Sequence, residues 1–298
     1  MKLNTENKQL TNTKICRYYN SVRIEYLRKT DEIFLIPCCT VFPRLHIRPY
    51  YWDSDYFIQN INKCLEEYSN LDLRKLNKLY SGICQYSTYN DDPNQICSNY
   101  TGNHSLVRIE NSIAKACNLH CIMCGARDEY CKRESYLYNE VFKRLDSKYT
   151  IVTTCHGEPF LYKQELFDYV LPKFKNIAML TNGSLLTDTD ISKLSEYQYK
   201  TKISMSFDSD IKEIYEKIRI GASFDIVYQN MLKLKKANLL EQVFLVIQNL
   251  NQSTCLDTMK RLKDLGIITR FIIRDGDPDN LRNFSDEEKQ IIFETQYF

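Results

Sequence analysis

The chain has no run of eighteen consecutive apolar residues, so it predicts no membrane-spanning helix. Its first residues, MKLNTENKQLTNTK, are polar and lack the apolar stretch of a signal peptide. An excess of one charge is also missing: 40 Lys and Arg stand against 38 Asp and Glu, a net +2. No basic block of the kind that tracks nucleic acid or anionic lipid occurs, so neither is an expected partner. Internal repeats and low-complexity tracts are absent as well. Together these absences predict a cytoplasmic protein that does not engage a membrane. What remains is a globular composition, 43% apolar and 26% charged over 298 residues, enough for one large domain or two modest ones.

Against that background, 12 cysteines need a reason. A reducing compartment disfavours structural disulfides, and clustered thiols there more often bind metal or do redox chemistry. Three of them fall within eight residues, CNLHCIMC at 117–124.

The stretch YSTYNDDPNQICSNYTGN, 86–103, is rich in Asn, Asp, Pro and Gly without apolar period, which predicts a boundary there: a module over 1–104 and a second domain over 105–298. Beyond it, strand-like runs occur at 107–111, 149–154, 176–180, 202–207, 242–247 and 268–273. Helix-like stretches lie between them, around 135–147, 163–174, 187–197, 211–238 (one helix or two) and 253–265, and SFDIVYQNMLKLKK opens with a candidate Ser cap at Ser223. Strands alternating with helices imply right-handed βαβ units and a parallel sheet. The expected fold is therefore α/β, a partial (β/α)6 TIM-like barrel, preceded by a small cysteine-containing α+β module. In that module RIEYL and EIFLIPCC are candidate paired strands, and FIQNINKCLEEY and LRKLNKLY candidate helices.

Soft thiolates suit zinc or an iron–sulfur cluster. Zinc takes four ligands, usually as two CxxC-like pairs, and here His120 or Cys131 would have to complete the set. A cubane can use three cysteines and leave one iron open. Buried free thiols are the third alternative. The motif follows the first strand of the parallel array at its C-terminal end, where α/β barrels place active-site loops, and a structural zinc knuckle has no reason to sit there.

CNLHCIMC also resembles the CxxxCxΦC signature of the radical S-adenosylmethionine (radical SAM) superfamily. Further likenesses follow in that family's order: CHGEPFL at 155–161 resembles its GGEP motif, LTNGSLLT at 180–187 its TNG turn, and SMSFDS at 204–209 its SxD strand. IRIGASFDIVYQNMLKL at 218–234 is similar to the Arg-Gly-Ser/Thr-Phe stretch of its peptide-modifying branch. The resemblance implies that Cys117, Cys121 and Cys124 ligate a [4Fe–4S] cluster whose fourth iron is chelated by SAM. One electron then cleaves SAM to methionine and a 5′-deoxyadenosyl radical that abstracts substrate hydrogen. It implies SAM contacts from Met123 to adenine, from Gly157 and Glu158 to the methionine portion, and from Asn182. Ser206 would bond the SAM carboxylate or ribose and Arg219 would pair with that carboxylate. His156 stands where the family has its first Gly. Gln248 and Asn249 close the fifth strand, where relatives contact adenosine or substrate.

CRYYNSVRIEYLRKTDEIFLIPCC and LRKLNKLYSGIC are similar to SPASM or twitch modules, which hold auxiliary iron–sulfur clusters. That likeness implies a second cluster on Cys16, one of Cys38 and Cys39, Cys84 and Cys97, with zinc or buried free thiols as the alternatives; Cys64, Cys155 and Cys255 are read as packing residues. The partners implied are a flavodoxin- or ferredoxin-type electron donor and a substrate that is a peptide side chain or a small metabolite. The first residues show no winged-helix leader-binding domain, an expectation that favours a small molecule or a leaderless peptide. The other classes weighed are a zinc- or cluster-stabilised binding module without catalysis and an electron-transfer protein.

Overall fold

The computed structural model describes residues 21–37, 51–69, 108–125, 129–153, 157–273 and 281–295. Cys16, Cys38, Cys39, Cys84, Cys97, Cys155, His156 and the segment LRKLNKLY lie outside the described residues. Contacts divide the chain into two compact units, 1–110 with 144–149, and 111–143 with 150–298. Among the described residues no helix is long and apolar enough to cross a membrane.

The first unit contains an antiparallel meander, β1 (Ser21–Leu27), β2 (Glu32–Pro37) and β3 (Tyr51–Asp53). β1 and β2 pair with Leu27 opposite Glu32, as their sequences predict. The tight turn between them needs a left-handed residue. Asp31 takes it at φ 53°, held by the Tyr26 hydroxyl at 3.0 Å. Val22, Ile24 and Tyr26 alternate inward with the period of two that a half-buried strand requires. Asp53 then accepts the N–H groups of Asp55 at 3.0 Å and Tyr56 at 3.1 Å, satisfying donors at the start of α1 (Ser54–Ser69). Phe57, Ile58, Ile61, Cys64, Leu65 and Tyr68 recur at three and four and form its buried face. Burial pushes the Cys64 thiol up to about 11, the behaviour of a packing cysteine.

The second unit is α/β. Strand β4 (Arg108–Ser112) runs into it, and β5 (Thr150–Val152), β6 (Asn176–Thr181), β7 (Thr201–Ser206), β8 (Leu240–Ile247) and β9 (Thr269–Ile273) follow in chain order. From β5 to β9 each strand pairs in parallel with the next, and among the described residues β9 ends the order without returning to β4, leaving the sheet open. Six strands crossed by helices are what the alternating sequence pattern predicts. The helices are α2 (Lys132–Arg144), α3 (Asp188–Ser195), α4 (Lys212–Ile218), α5 (Phe224–Lys236), α6 (Cys255–Asp264) and α7 (Asp286–Thr295). Between β5 and β6 a 3₁₀ turn, Pro159–Tyr162, leads into a π-helical turn, Leu166–Val170.

The local reasons are specific. Thr187 and Asp190 form a reciprocal capping box on α3. The single or double helix expected over 211–238 is two, broken at Gly221, whose φ of +95° only glycine adopts cheaply. Ser223 sits at the cap position of α5, but its hydroxyl makes no capping bond; Glu216 of α4 reaches over and accepts the Phe224 N–H at 3.0 Å. The sequence expectation of a Ser cap is corrected there, because a carboxylate is the stronger acceptor for a helix N-terminus. Past β9, Ile292 of α7 is buried in one core cluster with Leu245, Ile247, Cys255 and Phe271.

Candidate functional site

The C-terminal ends of the strands carry the motif residues. After β4, residues 113–125 form an irregular loop. Asn111 of β4 anchors its start, donating Nδ2 to the Thr153 carbonyl at 2.8 Å and accepting the Ile113 N–H at 2.9 Å. The loop is then tied to the segment after α4. His120 donates its N–H to the Ile220 carbonyl at 2.9 Å, and Ile122 to the Ile218 carbonyl at 3.0 Å. Cys124 N–H closes a turn on the Cys121 carbonyl at 3.0 Å. Cys121 is buried, Cys117 half-buried and Cys124 exposed.

Two donors, one past the end of β6 and one past the end of α4, reach these sulfurs. Asn182, just past β6, places Nδ2 at 3.8 Å from Cys117 Sγ and 3.1 Å from Asn118 Oδ1. Its amide orientation is set by Ser184, whose N–H donates to Asn182 Oδ1 at 2.9 Å, so the NH₂ group must face the thiol. Arg219 places Nη1 at 3.8 Å from Cys121 Sγ. Burial pushes both the Cys117 and Cys121 thiols above their ordinary range, while Asn182 and Arg219 act the other way, favouring thiolate.

Glu158 anchors the middle of the site and is 1% exposed. Its Oε1 accepts the Thr181 hydroxyl at 2.7 Å and the Phe160 N–H at 3.1 Å; its Oε2 accepts the Asn182 N–H at 2.7 Å. Burial raises its pKa to about 7, against the pull of those donors and of Arg219. Gly157, at φ +87°, is forced to be glycine: a Cβ there would stand 2.6 Å from the Lys115 carbonyl carbon. Glu158 N–H then bonds the Ala116 carbonyl at 2.8 Å, which holds this turn against the residue preceding Cys117.

Arg219 has a second partner that the sequence reading missed. Its Nε lies 2.7 Å from Asp208 Oδ2, with both side chains buried. The contact is off the N–H axis, so it is an ion pair rather than an aligned hydrogen bond. Burial pulls the Arg219 pKa down, but the Asp208 carboxylate more than offsets it and holds the guanidinium charged. The signal was in SMSFDS: an acid directly after an apolar strand is buried only when paired. Thr181, the last residue of β6, and Asn118 and Ser184 in the loops carry no distinguishing signal by type.

Of the residues expected at the site, Cys117, Cys121, Glu158, Asn182 and Arg219 are linked by the contacts above. Ser206 is half-buried at the end of β7 and Met123 half-buried beside Cys124; neither side chain joins that network. Gln248, past β8, is buried with Nε2 unpartnered. Among the described residues, no three His, Cys, Asp or Glu side chains converge as ligands of a single ion. Soft thiols on one loop, with a hydrogen-bond donor at two of the sulfurs, fit a cubane, which takes thiolate ligands at separate irons.

The sequence model of the radical SAM superfamily matches residues 111–262, more than half of the chain, and the chain belongs to that superfamily. Superfamily membership implies SAM and a [4Fe–4S] cluster as cofactors. Among curated proteins it is 27% identical over 157 residues to the antilisterial bacteriocin subtilosin biosynthesis protein AlbA of Bacillus subtilis, covering 50% of this chain and 35% of that protein. It is 28% identical over 176 residues to the GTP 3′,8-cyclase of Nautilia profundicola, covering 55% of each. The chain thus spans about a third to about half of these relatives. The structure of Streptococcus suis SuiB bound to S-adenosylmethionine aligns with a TM-score of 0.47 at 13% identity, over 81% of this chain and 58% of that one.

Proposed function

We propose that this chain reductively cleaves SAM at a [4Fe–4S] cluster held by Cys117, Cys121 and Cys124, and directs hydrogen abstraction from a bound substrate. The observation that carries this reading is the pair of buried donors, Asn182 Nδ2 and Arg219 Nη1, each 3.8 Å from the sulfur of one loop cysteine. When bound, the cluster supplies one electron to the sulfonium and SAM supplies the 5′-deoxyadenosyl group that takes the hydrogen atom.

The chain's own residues bind and orient. Glu158, ionised, pairs with the ammonium of the methionine moiety, its position fixed by Thr181, Asn182 and Phe160. Arg219 commits Nε to Asp208 and Nη1 to Cys121, which leaves Nη2 for the SAM carboxylate. Gly157 lets the backbone approach the amino acid, Ser206 serves the carboxylate or ribose, and Met123 packs on adenine. Substrate hydrogen comes from a peptide side chain or a small metabolite. The two curated relatives, named for bacteriocin biosynthesis and for GTP cyclisation, are consistent with either. A flavodoxin- or ferredoxin-type protein delivers the electron.

Anaerobic reconstitution followed by iron and sulfide counts and an assay for dithionite-dependent 5′-deoxyadenosine tests the reading. About four iron per chain supports one cluster, and about eight adds the auxiliary cluster proposed for Cys16, Cys38 or Cys39, Cys84 and Cys97. Zinc without iron or acid-labile sulfide overturns the assignment.

A further inference from the structure

Residues 120–122 and 218–220 form a two-bond ladder, His120 N–H to the Ile220 carbonyl at 2.9 Å and Ile122 N–H to the Ile218 carbonyl at 3.0 Å. The register sets Arg219 opposite Cys121, between the two bonds, and its Nη1 reaches Cys121 Sγ. The guanidinium is not free to swing, because Nε is paired with Asp208. Asp208 is itself fixed. Its Oδ1 accepts the Val246 N–H at 2.8 Å, and Asn251 Nδ2 bridges the carbonyls of Asp208 at 2.8 Å and Val246 at 2.9 Å. The ends of β7 and β8 are clamped together, the clamp carries a carboxylate, and the carboxylate aims the fork at a sulfur.

Desolvation offsets much of the attraction in a buried ion pair, so stability alone is a weak reason for this one. We propose that Asp208 and Arg219 form a positioning pair that aims a charged N–H at the Cys121 sulfur and raises the reduction potential of the cluster anchored there. The proposal rests on Cys117, Cys121 and Cys124 being the cluster ligands. Hydrogen bonds to ligating sulfur and local charge are the levers that set iron–sulfur potentials, and a cationic donor stabilises the more negative, reduced form. Asn182 supplies a neutral donor to Cys117; Arg219 supplies the charged one, and charge assistance makes it the stronger. Asp208 holds Arg219 in place, and its own negative charge acts on Cys121 in the opposite sense, which the closer guanidinium must outweigh.

The test is a potentiometric titration of the anaerobically reconstituted full chain, with dithionite as reductant and without SAM, read by electron paramagnetic resonance. Arg219→Gln removes the charge and the fork. At the wild-type midpoint its reduced-to-oxidised ratio is expected to fall about tenfold, equivalent to about 59 mV for one electron. Arg219→Lys keeps a cation opposite Asp208 but cannot serve Asp208 and sulfur together, so its ratio falls by a smaller factor. It carries the test should the Gln variant not load a cluster. Asp208→Asn is made with Arg219 present and again in combination with Arg219→Gln. An aiming role makes its shift differ between the two backgrounds, whereas equal shifts mean a bare charge effect and overturn the positioning claim. Full iron content with an unchanged midpoint in both Arg219 variants overturns the proposal outright. Failure of the wild-type chain to assemble any cluster would instead sink the ligand reading beneath it.

Discussion

Glu158 Oε2 accepts the backbone N–H of Asn182 at 2.7 Å, so the acid after β5 is locked to the turn after β6. Its buried carboxyl titrates at about 7, well above its ordinary value of 4.5. Between those two values the folded chain holds a proton that the unfolded chain has lost. Stability therefore falls as pH rises through that window and is lowest above about 7. Binding of the SAM ammonium requires the ionised form, so it opposes that trend: affinity strengthens as pH rises toward and past 7, and below it binding releases a proton. Isothermal titration calorimetry of the reconstituted protein at pH 6 and pH 8 is expected to show this slope. Glu158→Gln should weaken binding by about 10- to 100-fold, the loss of one charge-assisted contact of about 1.5–3 kcal/mol, and flatten the slope. Parallel pH curves for the two proteins would remove Glu158 from the ammonium site.

The cysteines sort by environment. Burial pushes Cys255 up to about 12 in the apolar cluster with Phe271 and Ile292, a protonated packing thiol. Cys121→Ala is expected to abolish cluster loading and 5′-deoxyadenosine formation. Cys255→Ala is expected to leave iron content at the wild-type level and cost about 1 kcal/mol in denaturant unfolding, the usual effect of deleting one small buried group. Iron retained in the first variant, or lost in the second, would reverse the assignment.

Much of the fold was legible. The runs at 176–180 and 268–273 fall within one residue of Asn176–Thr181 and Thr269–Ile273, because a buried parallel strand is an apolar run between turn residues and needs no distant information. The cysteine loop, Glu158 and Arg219 were legible for another reason, since each is a chemically distinctive type in a spaced motif. What was not legible is what depends on pairing across the chain. Arg219 and Cys121 are 98 residues apart, and nothing local to either segment encodes the ladder between them. Asp208 lies within the SMSFDS motif, but its partner becomes visible only when β7 and α4 are placed together.

Glu216 offers a sharper case of the same limit. Ser223 has the right type and position to cap α5, but Glu216, eight residues from Phe224, takes the N–H. Glu216→Ala is therefore expected to destabilise by about 1 kcal/mol, the typical value for losing a helix cap, whereas Ser223→Ala should cost no more than about 0.3 kcal/mol. Urea unfolding of the two variants checks the ranking; the opposite order would restore the hydroxyl as the cap.

Gly157 tests whether the backbone geometry of the site is imposed by close approach. A methyl there meets the Lys115 and Ala116 backbone at 2.6–2.7 Å, and the left-handed φ of +87° is strained for any other residue. The clash is with main chain, which cannot rotate away as a side-chain tip can. Gly157→Ala should cost about 1–3 kcal/mol of stability and disturb the alignment of Glu158, so SAM affinity falls along with the unfolding midpoint. Gly125 is the matched control: it lies on the same loop as the three cysteines, but a Cβ added there meets nothing within 4 Å. Gly125→Ala is expected to keep wild-type stability and iron content. Should both variants unfold at the wild-type denaturant concentration, close backbone approach does not fix residue 157, and Glu158 owes its position to Thr181, Asn182 and Phe160.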